Sequence, residues 1–94
     1  GVGFSYADSV SEYRITDDSA ADDNRAAMEQ FYELFPEYKQ NGFFITGESY
    51  AGIYVPTLAE AILKATQAGE YTGAALHGIG VGYDVKHNHC LLAR

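Results

Sequence analysis

Residues 42–52 read Gly-Phe-Phe-Ile-Thr-Gly-Glu-Ser-Tyr-Ala-Gly, and the reading of this stretch decides the fold. Phe43, Phe44, Ile45 and Thr46 form an apolar or β-branched run suited to a short buried strand. Behind the serine, Val55, Leu58, Ala59, Ile62 and Leu63 recur at i, i+3, i+4, i+7 and i+8, the stripe of an amphipathic helix. Ser49 stands at the bend between them. Strand, serine and helix in this order make a nucleophile elbow, a sharp turn that lifts a serine hydroxyl above the strand end and aims a helix N-terminus at it. Gly47 has a steric role in this layout, because a Cβ there would crowd the helix as it doubles back over the strand. The strict G-x-S-x-G pattern is missed by one methyl group, at Ala51. The plainer alternative is a glycine turn with an incidental serine, and the strand and helix patterns on either side weigh against it.

Upstream, Gly1 to Tyr6 reads as the end of a strand and its following loop, and Asp8 to Thr16 is polar and irregular. A helix is expected to begin around Asp17 to Ala20, capped by Thr16 or Ser19, with the Asp pairs favoured at the positive end of its dipole. Ala27, Met28, Phe31, Leu34 and Phe35 supply its apolar stripe, and Arg25 and Glu29 an exposed i, i+4 pair. Pro36 pushes the residue before it out of the helical region, so this helix should end near Leu34. Phe31, Phe35, Phe43 and Phe44 read as core. Pro56 predicts a kink or restart in the helix after Ser49, which should run to about Ala68 with Gly69 as its cap. Residues 74–81 form a short strand thinned by glycine. The whole reads as α/β, with parallel strands joined through a helical crossover.

Gly47-Glu48-Ser49-Tyr50-Ala51-Gly52 with Tyr54-Val55-Pro56 resembles the active-site signature of the serine carboxypeptidases, a family of the α/β-hydrolase superfamily. Gly1-Val2-Gly3-Phe4-Ser5-Tyr6 and Phe35-Pro36-Glu37-Tyr38 resemble two further blocks of that family, in the right order. The resemblance covers about residues 1–82 and fails in the tail 83–94. It implies a partial α/β-hydrolase fold, ordered strand, helix, strand, nucleophile elbow, helix, strand, in a parallel sheet. An α/β-hydrolase sheet needs more strands than 94 residues hold, so residues 1–94 are expected to be a single piece of a catalytic domain whose remainder lies elsewhere.

The implied chemistry is hydrolysis of C-terminal peptide bonds through an acyl-enzyme on Ser49, with the backbone N–H of Tyr50 as one oxyanion donor. The resemblance assigns Glu48 to substrate binding: paired with a second carboxyl group, it hydrogen-bonds the substrate's C-terminal carboxylate, which requires a retained proton and implies work at acidic pH. Substrates would be peptide or protein C-termini, and the setting vacuolar, lysosomal or secreted. A serine needs a base and an orienting acid. Asp84 with His87 or His89 offers the order serine, acid, histidine, but the family's acid and base stand much farther along, so the partners are expected outside this chain and the 94 residues alone to be inactive. His77 lies in a strand. Two alternatives share these residues: an acyltransferase of the same family using the same serine, and an inactive truncated product that acts only by binding.

Composition narrows the field. The net charge is -7, and residues 1–37 hold nine of the 13 acids against Arg14 and Arg25. No basic patch exists, so nucleic acid and anionic membrane are poor partners. No run of 18 apolar residues is present to span a membrane. His87-Asn88-His89-Cys90 lacks the second ligand pair of a closed tetrahedral site, and neither a metal nor a cofactor is expected. Cys90 has no partner cysteine within the chain.

Overall fold

The structure, a computed structural model, describes residues 3–82 and the backbone of residues 91–93. Its centre is a strand, helix, strand unit: β1 (Phe43–Glu48), α2 (Ala51–Gln67) and β2 (Leu76–Gly82), preceded by α1 (Asp17–Leu34). The two strands pair in parallel, with Phe43 opposite Leu76 at one end and Glu48 opposite Gly82 at the other. A third strand, β3 (Leu91–Ala93), adds antiparallel to the far edge of β2, giving the order β1-β2-β3. The α/β architecture read from the sequence is therefore present, and the antiparallel strand is an addition to it. Residues 3–6 form a turn and irregular chain, the loop expected there, while residues 1 and 2, where the strand end was expected, lie outside the described residues; a single turn of 3-10 helix, Val10–Tyr13, interrupts the polar stretch.

Helix α1 starts where its cap dictates. Thr16 is the N-cap; its hydroxyl accepts from the Ser19 N–H at 3.1 Å, and the Ser19 hydroxyl accepts from the Thr16 N–H at 2.8 Å. This reciprocal capping box uses both residues that the sequence offered as alternatives. The helix ends at Leu34, and Pro36 opens a 3-10 turn, Pro36–Gln40, that leads into β1.

Which face of α1 is covered differs from the sequence reading. Ala21 and Tyr32 are buried and Arg25, Met28 and Glu29 half-buried, whereas Ala27 is exposed and Leu34 retains 75% of its accessible surface. The Arg25–Glu29 pair, expected in solvent, lies partly inside at 3.1 Å, and Glu29 also accepts from the Thr72 N–H at 3.4 Å. Phe31 and Phe35 are exposed and stack on each other with ring centroids 5.1 Å apart rather than joining the core. The reason is that α2 lies alongside α1 at Ala21 while Phe43 of β1 and the chain at Gly73 meet Tyr32, and the larger apolar stripe turns outward.

The core sits between α2 and one face of the sheet. Val55, Ala59, Ile62 and Ala65 of α2 are buried together with Ala74 and Val81, and Ile62 is fully enclosed. Ala65 takes the place expected for Leu63, which is half-exposed. Along β1 burial alternates strictly: Phe43, Ile45 and Gly47 face the helices, while Phe44, Thr46 and Glu48 are exposed. Phe44, expected in the core, retains 60% of its surface on the uncovered face of the sheet. Phe43 meets Tyr32 edge-on, with ring centroids 5.9 Å apart.

Helix α2 is continuous from Ala51 to Gln67 with Pro56 inside it, so the helix does not restart at the proline. Only the hydrogen bond to the Gly52 carbonyl is forfeited. The Thr57 hydroxyl lies 2.9 Å from the Ile53 carbonyl and 3.1 Å from that of Tyr54, back-bonding across the same turn. Burial of Val55 and Ala59 on either side holds the helix to the sheet. At its far end Ala68 caps and Gly69 follows with φ +73°. The Gly69 N–H donates to the Thr66 carbonyl at 3.1 Å and the Glu70 N–H to that of Ala65 at 2.9 Å, the two bonds of a Schellman motif. A Cβ on Gly69 would meet nothing within 4 Å, so only its backbone conformation demands glycine. Gly69→Ala is therefore expected to lower the unfolding free energy by about 1 kcal/mol, read in denaturant titration. An unchanged midpoint would count against this cap.

Candidate active site

Ser49 and Tyr50 alone connect β1 to α2, and the backbone of Ser49 carries the signature of that connection. Its φ is +59°, and it is the one residue other than glycine with positive φ among the described residues. This region of backbone space is uncommon for side-chain-bearing residues and costs about 1–3 kcal/mol, so it persists only where the surroundings hold it. They hold it from both sides. The Ser49 N–H donates to the Gly82 carbonyl at 3.2 Å, extending the ladder one step beyond Glu48. Its own carbonyl accepts from the Gly52 N–H at 2.9 Å, opening the first turn of α2.

Gly47 makes the sharp turn possible for a steric reason. A Cβ at this position would collide with Ala51 Cβ and come to 3.1 Å from Val55 Cγ2. The backbone of β1 and the first two turns of α2 are thus too close for any side chain between them. The crowding read from the sequence is present at the residue expected, and the methyl group of Ala51 occupies the space that Gly47 leaves.

Tyr50 is the N-cap of α2, with φ -60° and ψ -14°. Its carbonyl accepts from Ile53 at 2.9 Å and from Tyr54 at 3.4 Å, whereas its N–H meets no backbone acceptor among the described residues. That N–H belongs to the peptide immediately after Ser49, at the positive end of α2. The Tyr50 side chain is half-exposed, packs edge-on against Tyr54 with centroids 4.9 Å apart, and donates from its hydroxyl to Asp17 Oδ2 at 3.3 Å. The Asp17 charge raises the Tyr50 phenol above its ordinary value, and desolvation adds to the effect.

Glu48, the last residue of β1, is exposed on the uncovered face and forms no ion pair among the described residues. Ser49, Glu48 and Tyr50 are thus consecutive at one end of the sheet, and all three stand open to solvent. The surface groove between α1 and α2, lined by Asp18, Asp22 and Arg25 opposite Thr57, Glu60 and Lys64, does not include them.

His77 lies at the opposite end of β2, one residue past the pair Phe43 and Leu76, whereas Ser49 adjoins the pair Glu48 and Gly82. The five residue steps of strand from His77 to Gly82 place the ring on the order of 15 Å from the elbow, too far to serve as its base. Its Nδ1 is 2.9 Å from the Ala75 carbonyl and 3.4 Å from the Phe43 N–H. One nitrogen serves only one of these roles, and the shorter contact makes Nδ1–H a donor to Ala75. Asp84, His87, His89 and Cys90 lie outside the described residues. Among the described residues no group of three or more His, Cys, Asp or Glu side chains stands in position to hold a metal ion, and no helix is long and apolar enough to cross a membrane.

Sequence reasoning gave Asp17 only a role at the start of α1. Its contact with Tyr50 spans 33 residues, and no local pattern in the sequence signals it.

Comparison with known proteins accords with this arrangement. The serine carboxypeptidase family pattern matches residues 1–89. The probable serine carboxypeptidase CPVL of Homo sapiens is 44% identical over 82 residues, 87% of this chain and 17% of the relative. The lysosomal protective protein of Mus musculus is 53% identical over 64 residues, 68% of this chain and 13% of the relative. Serine carboxypeptidase 1 of Hordeum vulgare is 41% identical over 85 residues, 90% of this chain and 17% of the relative. The chain thus spans about a sixth of the length of relatives such as CPVL. Taken with the elbow at Ser49, the match along nearly its whole length shows that this chain belongs to the serine carboxypeptidase family.

Proposed function

We propose that this chain is the nucleophile-bearing segment of a serine carboxypeptidase catalytic domain, which releases residues from peptide or protein C-termini through an acyl-enzyme on Ser49. The observation that carries this reading is the positive φ of Ser49 at the joint between β1 and α2, within Gly47-Glu48-Ser49-Tyr50-Ala51-Gly52. A helix N-terminus behind the serine favours negative charge developing beside it, and the Tyr50 N–H is free of other backbone partners among the described residues to donate to an oxyanion. His77 is too distant to activate Ser49, and the base and the acid that orients it are proposed to belong to other parts of the domain, as the family resemblance implies. The uncovered face of the sheet, with Phe44 exposed on it, supports a further layer there. The 94 residues alone are accordingly inactive. A lysosomal, vacuolar or secreted setting fits the relative named lysosomal protective protein.

Glu48 is proposed to read the substrate's terminal carboxylate, sharing a proton with a second carboxyl group. Glutamine keeps the size and a donor but cannot share that proton. In the complete catalytic domain, Glu48→Gln is expected to retain acyl-enzyme formation while losing about tenfold in preference for free-acid over amidated C-termini at acidic pH. The check is kcat/KM for matched acid and amide dipeptides from about pH 4 to pH 8, bracketing carboxyl and imidazole titration. In the wild type the acid-to-amide ratio should rise as pH falls, because the shared proton is lost as pH rises; in Glu48→Gln it should stay flat. An unchanged ratio at every pH would make Glu48 a turn residue only.

A further inference from the structure

Helices α1 and α2 start at the same end of the sheet. Asp17, the first residue of α1, meets Tyr50, the residue that caps α2, and at the other end Glu29 reaches Thr72. The α1 start is held by the Thr16 and Ser19 capping box, which fixes the backbone of Asp17 between two capped positions. From that base the Asp17 carboxylate accepts the Tyr50 hydroxyl at 3.3 Å.

We propose that Asp17 is a positioning residue for the reaction at Ser49, acting through Tyr50: by holding the phenol, it fixes the peptide between Ser49 and Tyr50 whose N–H faces the developing oxyanion. This rests on the reading of Ser49 as nucleophile and of that N–H as oxyanion donor. Tyr50 needs such a hold. Its ring is half-exposed, so packing alone does not fix it, and it adjoins a residue whose backbone is strained. Two contacts hold it, the Tyr54 ring and the Asp17 carboxylate. Loss of the second lets the ring swing on Tyr54 and loosens the first turn of α2, whose Tyr50 carbonyl is shared between Ile53 and Tyr54. A misaimed N–H weakens the interaction formed in the transition state and leaves substrate binding alone. At 3.3 Å this is a long O–H···O bond, so the effect is modest.

The test is a double-mutant cycle in the complete catalytic domain, with kcat, KM, melting temperature and the rate of Ser49 labelling by a fluorophosphonate as readouts. Asp17→Ala should lower kcat and the labelling rate by about three- to fivefold with KM unchanged. Tyr50→Phe, which leaves α1 untouched, should lower them equally, and the double variant should be no worse than either single one. Asp17→Asn, which keeps an acceptor at the same reach, should recover most of the rate. A fall in melting temperature with kcat and labelling unchanged would reduce Asp17 to a helix-start residue and overturn the proposal, as would additive losses in the cycle. Loss of labelling at Ser49 in the wild type itself would instead overturn the nucleophile reading on which the proposal stands.

Discussion

Ser49→Ala in the complete catalytic domain is expected to lower kcat by at least about 10⁴-fold while leaving the melting temperature within a few degrees of the wild type. The size follows from the proposed role: removing a covalent nucleophile leaves only binding and oxyanion stabilisation, which account for a residual 10³–10⁴ over water in well-studied serine hydrolases. The small stability effect follows from the geometry. Ser49 is exposed, and its anchoring bonds to Gly82 and Gly52 are made by its backbone. Alanine keeps both but inherits the positive φ without a hydroxyl, so a loss of about 1 kcal/mol is within reach. Steady-state hydrolysis of a blocked dipeptide and a thermal melt check both halves. Activity within tenfold of the wild type would remove Ser49 from the chemistry.

The second large effect is structural. Gly47→Val should prevent the elbow from forming, because its Cβ alone collides with Ala51 and presses on Val55, and both belong to the helix that carries the core. Overpacking a tight contact costs typically 1–3 kcal/mol and more where backbone must move. Against a total stability of about 5–15 kcal/mol, a valine between strand and helix is expected to leave little folded protein. Gly47→Ala should be milder, and Ala51→Gly in the same chain should recover part of its loss by vacating the space into which the new methyl group points. Circular dichroism and soluble yield of the two single variants and the pair decide the matter. Equal damage in Gly47→Ala with and without Ala51→Gly would show that the crowding lies elsewhere.

The elements that the sequence made legible are those with a local cause. Thr16 and Ser19 cap α1 through bonds across three residues, Pro36 stands two residues past its last residue and ends it, and Gly69 closes α2 through its own backbone angle. The elbow was legible for the same reason, since Gly47, Ser49 and Ala51 are neighbours in sequence and in space. What was misread depends on partners distant in the chain. The apolar stripe of α1 pointed to Phe31, Leu34 and Phe35, but the helix face that is covered carries Ala21, Arg25 and Tyr32. Hydrophobic periodicity marks which faces are apolar and says nothing of which one a given neighbour chooses. Pro56 was read from its missing N–H, whereas burial of Val55 and Ala59 and the hydroxyl of Thr57 outweigh one lost bond. Asp17 was read as a charge at a helix start, and its contact with Tyr50 exists only once both helices are laid on the sheet.

The central claim is that Ser49 is the residue that forms a bond to substrate. The complete catalytic domain is treated with a fluorophosphonate, digested, and the modified residue located by tandem mass spectrometry. One stoichiometric phosphonyl adduct is expected on Ser49, within the tryptic peptide Gln40–Lys64. An adduct on another serine, or none on Ser49 in a preparation that cleaves C-terminal residues, would contradict it.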